Sequence, residues 1–336
     1  MRIAVVVATT IVNAVYRGMV LGELRNLGHQ VEIDRDGEAL DDGRVQDVDV
    51  VHVHRYSEPE LRRTLRRLRD RGVAIVWDND DDYSSSRINA RGGLRVQERQ
   101  ANLGGMLELA DLVTTTSPYL AERYRSWGAA EVAVVENYLP ANYQADRPAF
   151  ARDDDVVTIG WIGAGEHLFD VRDLGLRATF ERLLAAHPNV QLATVGLALG
   201  LPAERCRHTR LVEYRDLAGH AASYDIGLAP IADTPFNRAR SNVKLKEYAV
   251  MGVPWLASPI GPYAGLGERQ GGRLVADDRW YEELERLVLE RRARQKLAKR
   301  ALKWGRSQRI ERNARAWEAA LRRAVERAGR RVAAAA

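Results

Sequence analysis

Cysteine is almost missing from this chain. Cys206 is the only one among 336 residues, which rules out an internal disulfide and a cysteine zinc cluster and suits a reducing compartment. Long apolar runs are missing too. The longest, such as Ile3 to Ala8, have the length of a strand and fall far short of the ~20 residues needed to cross a bilayer. The chain opens on a strand-like run and not on a basic-then-apolar leader, so a cytoplasmic location is expected. No internal repeat is visible, and the only low-complexity stretch is the closing alanine run, 333–336, within a tail at 332–336 that is expected to be disordered.

With 29% charged and 46% hydrophobic residues the composition is that of a globular protein, and 336 residues allow two domains of ~150 residues each. Short β-rich runs at 2–8, 49–54, 72–78, 111–116 and 131–137 alternate with helical stretches such as Glu58 to Asp70 and Leu120 to Trp127. A segment rich in Pro, Ala and Asp, from Tyr138 to Asp155, breaks the pattern. A second series follows, with strands expected near 156–162, 190–196, 210–214, 225–229 and 254–258. Such alternation predicts an α/β fold of two Rossmann-like, doubly wound parallel-sheet domains facing each other across a cleft, with ligands at the C-terminal strand ends. The expected boundaries are 1–140, a linker at 141–155, a second domain at 156–305 and a returning helix at 306–331.

The most informative stretch is SNVKLKEYAVMGVPWLASPIGPY, Ser241 to Tyr263. Ser241, Lys244 and Glu247 are spaced three apart, which places all three on one face of a helix near its N-terminal end, with Arg240 just before. Free N–H groups and flanking cations at a helix start attract a diphosphate, and a carboxylate one turn deeper can accept both hydroxyls of a ribose. Gly252-Val253-Pro254 then stops the helix before the apolar strand Trp255-Leu256-Ala257.

PIADTPFNRARSNVKLKEYAVMGVPWLAS resembles the nucleotide-binding half of the retaining GT-B glycosyltransferases of the large "group 1" (family 4-like) superfamily, and Glu247 matches its ribose-binding glutamate. TIGWIGAGEHLFDVRDL (158–174) looks like the first strand and glycine turn of that half, and YDIGLAP (224–230) like the strand leading to the site. ADLVTTTSPYLAERY (110–124) and VVENYLP (134–140) resemble the end of the family's first half. The resemblance implies transfer of a sugar from a nucleoside diphosphate sugar to an acceptor hydroxyl with retention, without cofactor or catalytic metal. It implies a donor site of Gly163, His167, Asn237, Arg240, Ser241, Lys244 and Glu247, and a last helix crossing back onto the first domain. Some features depart from the family pattern. The family's first glutamate, eight residues before the ribose glutamate, falls on Ala239; the loop at 9–18 lacks the usual glycine pair; and no Arg…Lys pair follows GWIG.

VWDNDDDY places Asp78, Asp80, Asp81 and Asp82 after a strand expected to end at the cleft. Those carboxylates suit sugar or acceptor contacts, Mg²⁺, or acid–base work, and a solvated acidic turn stays open beside them. Asp78-x-Asp80 is similar to the aspartyl nucleophile motif of haloacid-dehalogenase-like phosphatases, but Asp82 stands where that motif wants Thr or Val. His52 and His54 alternate along their strand and are expected to point to opposite sides, leaving His54 for the site. The catalytic candidates are His54, Asp78 and Asp81, with Tyr16, Arg17 and Asp80 on the acceptor side. Trp161 reads as packing.

From Glu290 to Arg331 there are sixteen Lys or Arg against four Glu, a local +12 within a chain of net +5. Apolar positions at helical spacing around a break expected at Gly305 put one stripe inward and the cations outward. A solvated helix pair, peripheral contact with an anionic membrane, and contact with nucleic acid all fit that pattern. Two other functions stay open: a glycosyltransferase acting on a nucleic-acid acceptor, and a catalytically lapsed nucleotide-sugar-binding protein.

Overall fold

A computed structural model describes residues 1–7, 13–35, 37–41, 47–85, 101–144 and 155–335. The chain divides into two units, one of Met1–Pro140, Arg238–Ser241 and Ile310–Ala336, the other of Ala141–Asn237 and Asn242–Arg309. Most of the expected linker, 145–154, and the glycine-poor stretch at 8–12 lie outside the described residues.

The first unit runs β1 (Arg2–Val7), α1 (Asn13–Arg17), β2 (Gln30–Arg35), α2 (Glu38–Asp41), β3 (Val50–His54), α3 (Pro59–Asp70), β4 (Ala74–Asp78), α4 (helical over 101–109), β5 (Leu112–Thr115), α5 (Pro118–Ser126) and β6 (Val132–Val134). Helix starts follow local chemistry. Pro59 and Pro118 occupy the first helical turn, where a missing N–H costs nothing, and the Ser117 hydroxyl accepts the Leu120 N–H at 3.2 Å. The strands form one all-parallel sheet in the order β2-β1-β3-β4-β5-β6, so the winding reverses between β1 and β3.

The second unit runs β7 (Val157–Ile162), α6 (His167–Asp173), α7 (Leu176–Ala186), β8 (Val190–Val195), β9 (Cys206–Thr209), α8 (Tyr214–Ala222), β10 (Ile226–Ala229), α9 (Pro235–Arg238), α10 (Val243–Val250), β11 (Trp255–Ala257), β12 (Gly272–Leu274), α11 (Trp280–Leu289) and α12 (Arg291–Ser307). Arg238, the last residue of α9, clusters with the first unit. Its sheet, also parallel, has the order β12-β11-β10-β7-β8-β9, and the winding reverses between β7 and β10. Gly160 and Gly227 are paired across those two strands. A methyl on Gly160 would stand 2.0 Å from the Tyr224 ring, and one on Gly227 2.6 Å from Tyr248, so the glycines let both rings lie on the sheet. Tyr248 then ties the strand ends together, accepting the Ile162 N–H at 3.1 Å and donating to the Leu228 carbonyl at 3.0 Å.

Helix α13 (Ile310–Ala335) belongs to the first unit. Ile310, Ala314, Trp317, Leu321, Ala324 and Ala328 are spaced alternately four and three apart and are buried with Ile3, Val5, Val50 and Val76 on one face of the sheet. The helix break falls at Gln308 and Arg309, not at Gly305. Gly305 lies inside α12, where a Cβ would be 2.3 Å from the Val250 nitrogen, so its small size lets α12 press onto α10. The closing alanines, expected to fray, are helical through Ala335, and just before them Arg331 donates to the Arg69 carbonyl at 2.7 Å and pairs with Asp111 at 3.0 Å. The cations of α13 are also less free than their number suggests. Arg323 and Arg327 pair with Glu131 at 2.5 and 3.2 Å, so with Arg331 they dock the helix instead of meeting an outside surface.

Candidate functional site

In the second unit the site residues gather where the winding reverses, beyond the C-terminal ends of β7 and β10, which is where open α/β sheets bind ligands. Gly163 follows β7, and a Cβ there would stand 2.5 Å from the His167 ring, so the turn can close only with glycine. His167 begins α6 and its Nδ1 is 2.8 Å from an Asp170 oxygen. The other Asp170 oxygen accepts the Ala232 N–H at 2.9 Å and the Asn237 amide at 2.8 Å. Asp170 therefore joins the loop after β7 to the loop after β10 and sets the orientation of both polar side chains. Its place three residues after His167, at a helix start, was a visible signal that the sequence reading passed over.

Helix α10 supplies the rest. Lys244 donates its ammonium to the Ile162 carbonyl, which places a positive charge at the end of β7. Glu247, one turn on, is 5% exposed and sits among tyrosines. Burial and the Glu247 charge push the Tyr143 hydroxyl well above its ordinary pKa, and Tyr214 is raised by the same two causes. The two rings lie 5.7 Å apart. Neither tyrosine was anticipated, because Tyr143 falls in the segment read as a linker and Tyr214 opens a helix of ordinary composition.

Ser241 does not share the helix with Lys244 and Glu247. Helix α10 starts at Val243 behind Asn242, and the chain passes from one unit to the other between Ser241 and Asn242. Ser241 accepts the Asn137 amide at 3.0 Å, and the residue before Arg240, Ala239, is buried in the first unit's core, with its carbonyl 3.4 Å from the Ser117 hydroxyl. Ala239 is thus a packing residue where the family has a glutamate.

In the first unit Asp78 is fully buried and held by Arg17, which donates through Nε at 3.0 Å to one oxygen and through Nη2 to the other. Thr114 adds a bond of 2.6 Å. Burial, the largest single influence, raises the Asp78 pKa, yet the Arg17 charge, its hydrogen bonds and the two neighbouring histidines together outweigh it and the net shift is downward. Arg17 also meets the Val135 carbonyl, Asn137, and the face of Trp317 at 4.6 Å. Tyr16 and Arg17, expected on the acceptor side, are 1% and 0% exposed, and Asp78, expected as a catalytic candidate, forms a fully buried pair with Arg17. Asp80 is bound by Arg55 at 2.5 Å and Asn13 at 2.6 Å, with His54 Nε2 at 3.4 Å, while Asp81 pairs with Arg55 at 2.6 Å and keeps a quarter of its side chain exposed. Arg17 thus answers Asp78, and Arg55 answers both Asp80 and Asp81. Among the described residues no group of three His, Cys, Asp or Glu is arranged to hold a metal ion.

His52 and His54 share a face, which corrects the expectation that they point apart. Residues two apart on a strand must do so, and both imidazoles approach Asp78, at 3.8 and 4.0 Å. His52 also meets Trp317 of α13 edge-on at 5.3 Å. Burial lowers its pKa from 6.5 to about 4, against the pull of Asp78, so the folded chain keeps it neutral where the unfolded chain takes up a proton. Between those two values the unfolded state binds more protons, and stability falls as pH drops. Denaturant unfolding at pH 7 and pH 5 should differ by roughly 2 kcal/mol from this group, and His52→Phe should remove that difference. An unchanged pH dependence in the variant would assign the acid limb to other groups.

No protein-family model matches the chain, and no curated protein matches it in sequence. Solved structures do match in fold. Sucrose-phosphate synthase from Thermosynechococcus elongatus superposes over 100% of both chains with a TM-score of 0.67 at 15% identity. Anabaena HepE, solved with UDP and glucose, covers 95% of this chain and 98% of its own with a TM-score of 0.63 at 14% identity. A trehalose-6-phosphate synthase studied for glycosyl transfer with retention covers 84% and 76%, with a TM-score of 0.59 at 15% identity. The chain has the GT-B fold of retaining glycosyltransferases. No helix among the described residues is long and apolar enough to cross a membrane.

Proposed function

We propose that this chain moves a sugar from a nucleoside diphosphate sugar to an acceptor hydroxyl with the anomeric configuration retained. The observation that carries the reading is the set His167, Asp170, Asn237, Lys244 and Glu247 around the winding reversal of the second unit. Negative charge grows on the departing diphosphate, so a fixed cation and the positive end of the α10 dipole lower the barrier. Lys244 supplies that cation. Glu247 accepts the ribose hydroxyls, with Tyr143 and Tyr214 as its neighbours, and His167, oriented by Asp170, contacts the sugar. In the first unit Asp81, a quarter of whose side chain is exposed, offers the acceptor side, with His54 and Asp80 buried behind it. Arg240 and Ser241 cluster with that unit and are left out of the donor set.

Lys244→Ala should weaken nucleoside diphosphate binding about 10- to 100-fold, the scale of a lost charged contact, while barely changing affinity for the bare nucleoside. Titration calorimetry with both ligands reads the difference. Equal losses would point to damaged packing at Ile162.

A thermal-shift screen of nucleotide sugars tests the reading as a whole, since a ligand at 100 times its dissociation constant adds ~2.7 kcal/mol of stability. The donor that stabilises should then be consumed with an acceptor present, and the anomeric configuration of the product read by NMR. Absence of any stabilising nucleotide sugar would overturn the proposal. Binding without transfer or hydrolysis would favour a lapsed binding protein, a reading to which the buried Ala239 lends support.

A further inference from the structure

We infer that the outer face of α12 is a docking surface for a membrane of anionic phospholipid. Over Arg291–Ser307 this helix has eight Lys or Arg and no Asp or Glu. Three of the cations have work within the fold or an interaction there: Arg294 donates to the Leu287 and Val288 carbonyls, Arg300 pairs with Glu268 at 3.0 Å, and Arg291 also has an interaction. The other five, Arg292, Lys296, Lys299, Lys303 and Arg306, are all exposed, and among the described residues none has an ion-pair or hydrogen-bond partner. Their spacing of four, three, four and three residues aligns them on one side of the helix, a row ~21 Å long at 1.5 Å per residue.

Helical proteins commonly intersperse such cations with carboxylates, because an uncompensated row repels itself. On α13, by contrast, Glu318 answers Arg322 at 2.9 Å and Glu131 answers Arg323 and Arg327. Beside the α12 row an open concavity of about 650 Å³ is lined by Arg269, Arg300, Lys303, Trp304 and Ser307, with Glu268 at its side. Trp304 is half-buried there, an apolar body with a polar N–H of the kind that settles at a headgroup layer. The helix lies flat, its inner side packed on α10 through Gly305. A straight row of cations with one aromatic fits a plane of phosphate headgroups, whereas nothing in it projects to enter a nucleic-acid groove or forms the aromatic series that stacks bases.

The full chain should sediment with vesicles of phosphatidylcholine containing about one-third phosphatidylglycerol and not with phosphatidylcholine alone, and salt should release it as the screening length shortens to ~8 Å. Replacing Arg292, Lys296, Lys299, Lys303 and Arg306 together by Gln, a residue that keeps the helix, should lower partitioning about 100-fold or more. A comparison variant with four α13 cations, Arg312, Arg315, Arg322 and Arg330, changed to Gln should lose less than about fivefold. UDP binding and the melting curve should be the same in all three proteins, which separates failure of docking from failure of the nucleotide reading. No binding to the anionic vesicles at low salt, or equal loss in the two variants, overturns the inference. So does tighter binding to duplex DNA than to the vesicles, which would make the row a nucleic-acid contact.

Discussion

Replacing Glu247 by alanine should abolish measurable sugar transfer and weaken nucleoside diphosphate binding by about 2–4 kcal/mol, the cost of a lost charged hydrogen-bonding group. That is a drop of roughly 30- to 1000-fold in affinity. Glu247 stands on α10 one turn beyond Lys244, is 5% exposed and raises the pKa values of Tyr143, Tyr214 and Tyr248, so it has more to lose than a surface group. Calorimetry with nucleoside diphosphate and with diphosphate alone separates the roles. Glu247→Ala should spare the diphosphate and Lys244→Ala should not. A folded Glu247→Ala protein with unchanged nucleotide affinity would end the ribose assignment.

The largest effect on stability is expected at Asp78. Removing it leaves the Arg17 guanidinium buried without its carboxylate, and Asp78→Ala should cost about 3–5 kcal/mol of unfolding free energy. The double change Arg17→Met with Asp78→Leu should recover most of that loss, because an apolar pair of similar volume carries no desolvation penalty. Denaturant unfolding of the two single variants and the double variant gives the coupling directly. If the double variant is as unstable as the sum of the singles, the pair does not act as a unit. A catalytic Asp78 would instead lose turnover with its fold intact.

The strands that the sequence reveals most readily are those buried in the sheet interiors. β1, β3, β4, β7, β8 and β10 are apolar runs because they are covered on both faces, and such runs can be read without knowing the fold. Of the four edge strands, β6 was read at 131–137, but β2, β9 and β12 were not read in place. QVEIDR and CRHT carry charged residues on their exposed sides, and Gly272–Leu274 is only three residues long. Two of these strands were not anticipated, and the third was expected four residues too late.

The candidate site of the second unit was legible in part for a similar reason. Lys244 and Glu247 follow local helical spacing, and the glycine turn at Gly163 follows from the backbone's need to pass close to a side chain. Local rules could not show that Asp170 joins His167 to Asn237 across 67 residues, or that Tyr143 and Tyr214 surround Glu247. Those contacts depend on which strand ends the winding brings together.

By itself, then, the amino-acid sequence determined the alternation of strand and helix, the two parallel sheets, a helix carrying Lys244 and Glu247 on one face and the excess of positive charge near the C-terminus. These rest on hydrophobic period, turn residues and net charge, which act over a few residues. Only the tertiary structure decided which charges are spent. It buried Asp78 against Arg17, turned Arg323, Arg327 and Arg331 inward onto Glu131 and Asp111, and left the five cations of α12 facing water. A charged side chain has the same formal charge wherever it stands. Whether it holds the fold or meets a ligand depends on the partner that folding brings within about 4 Å of it.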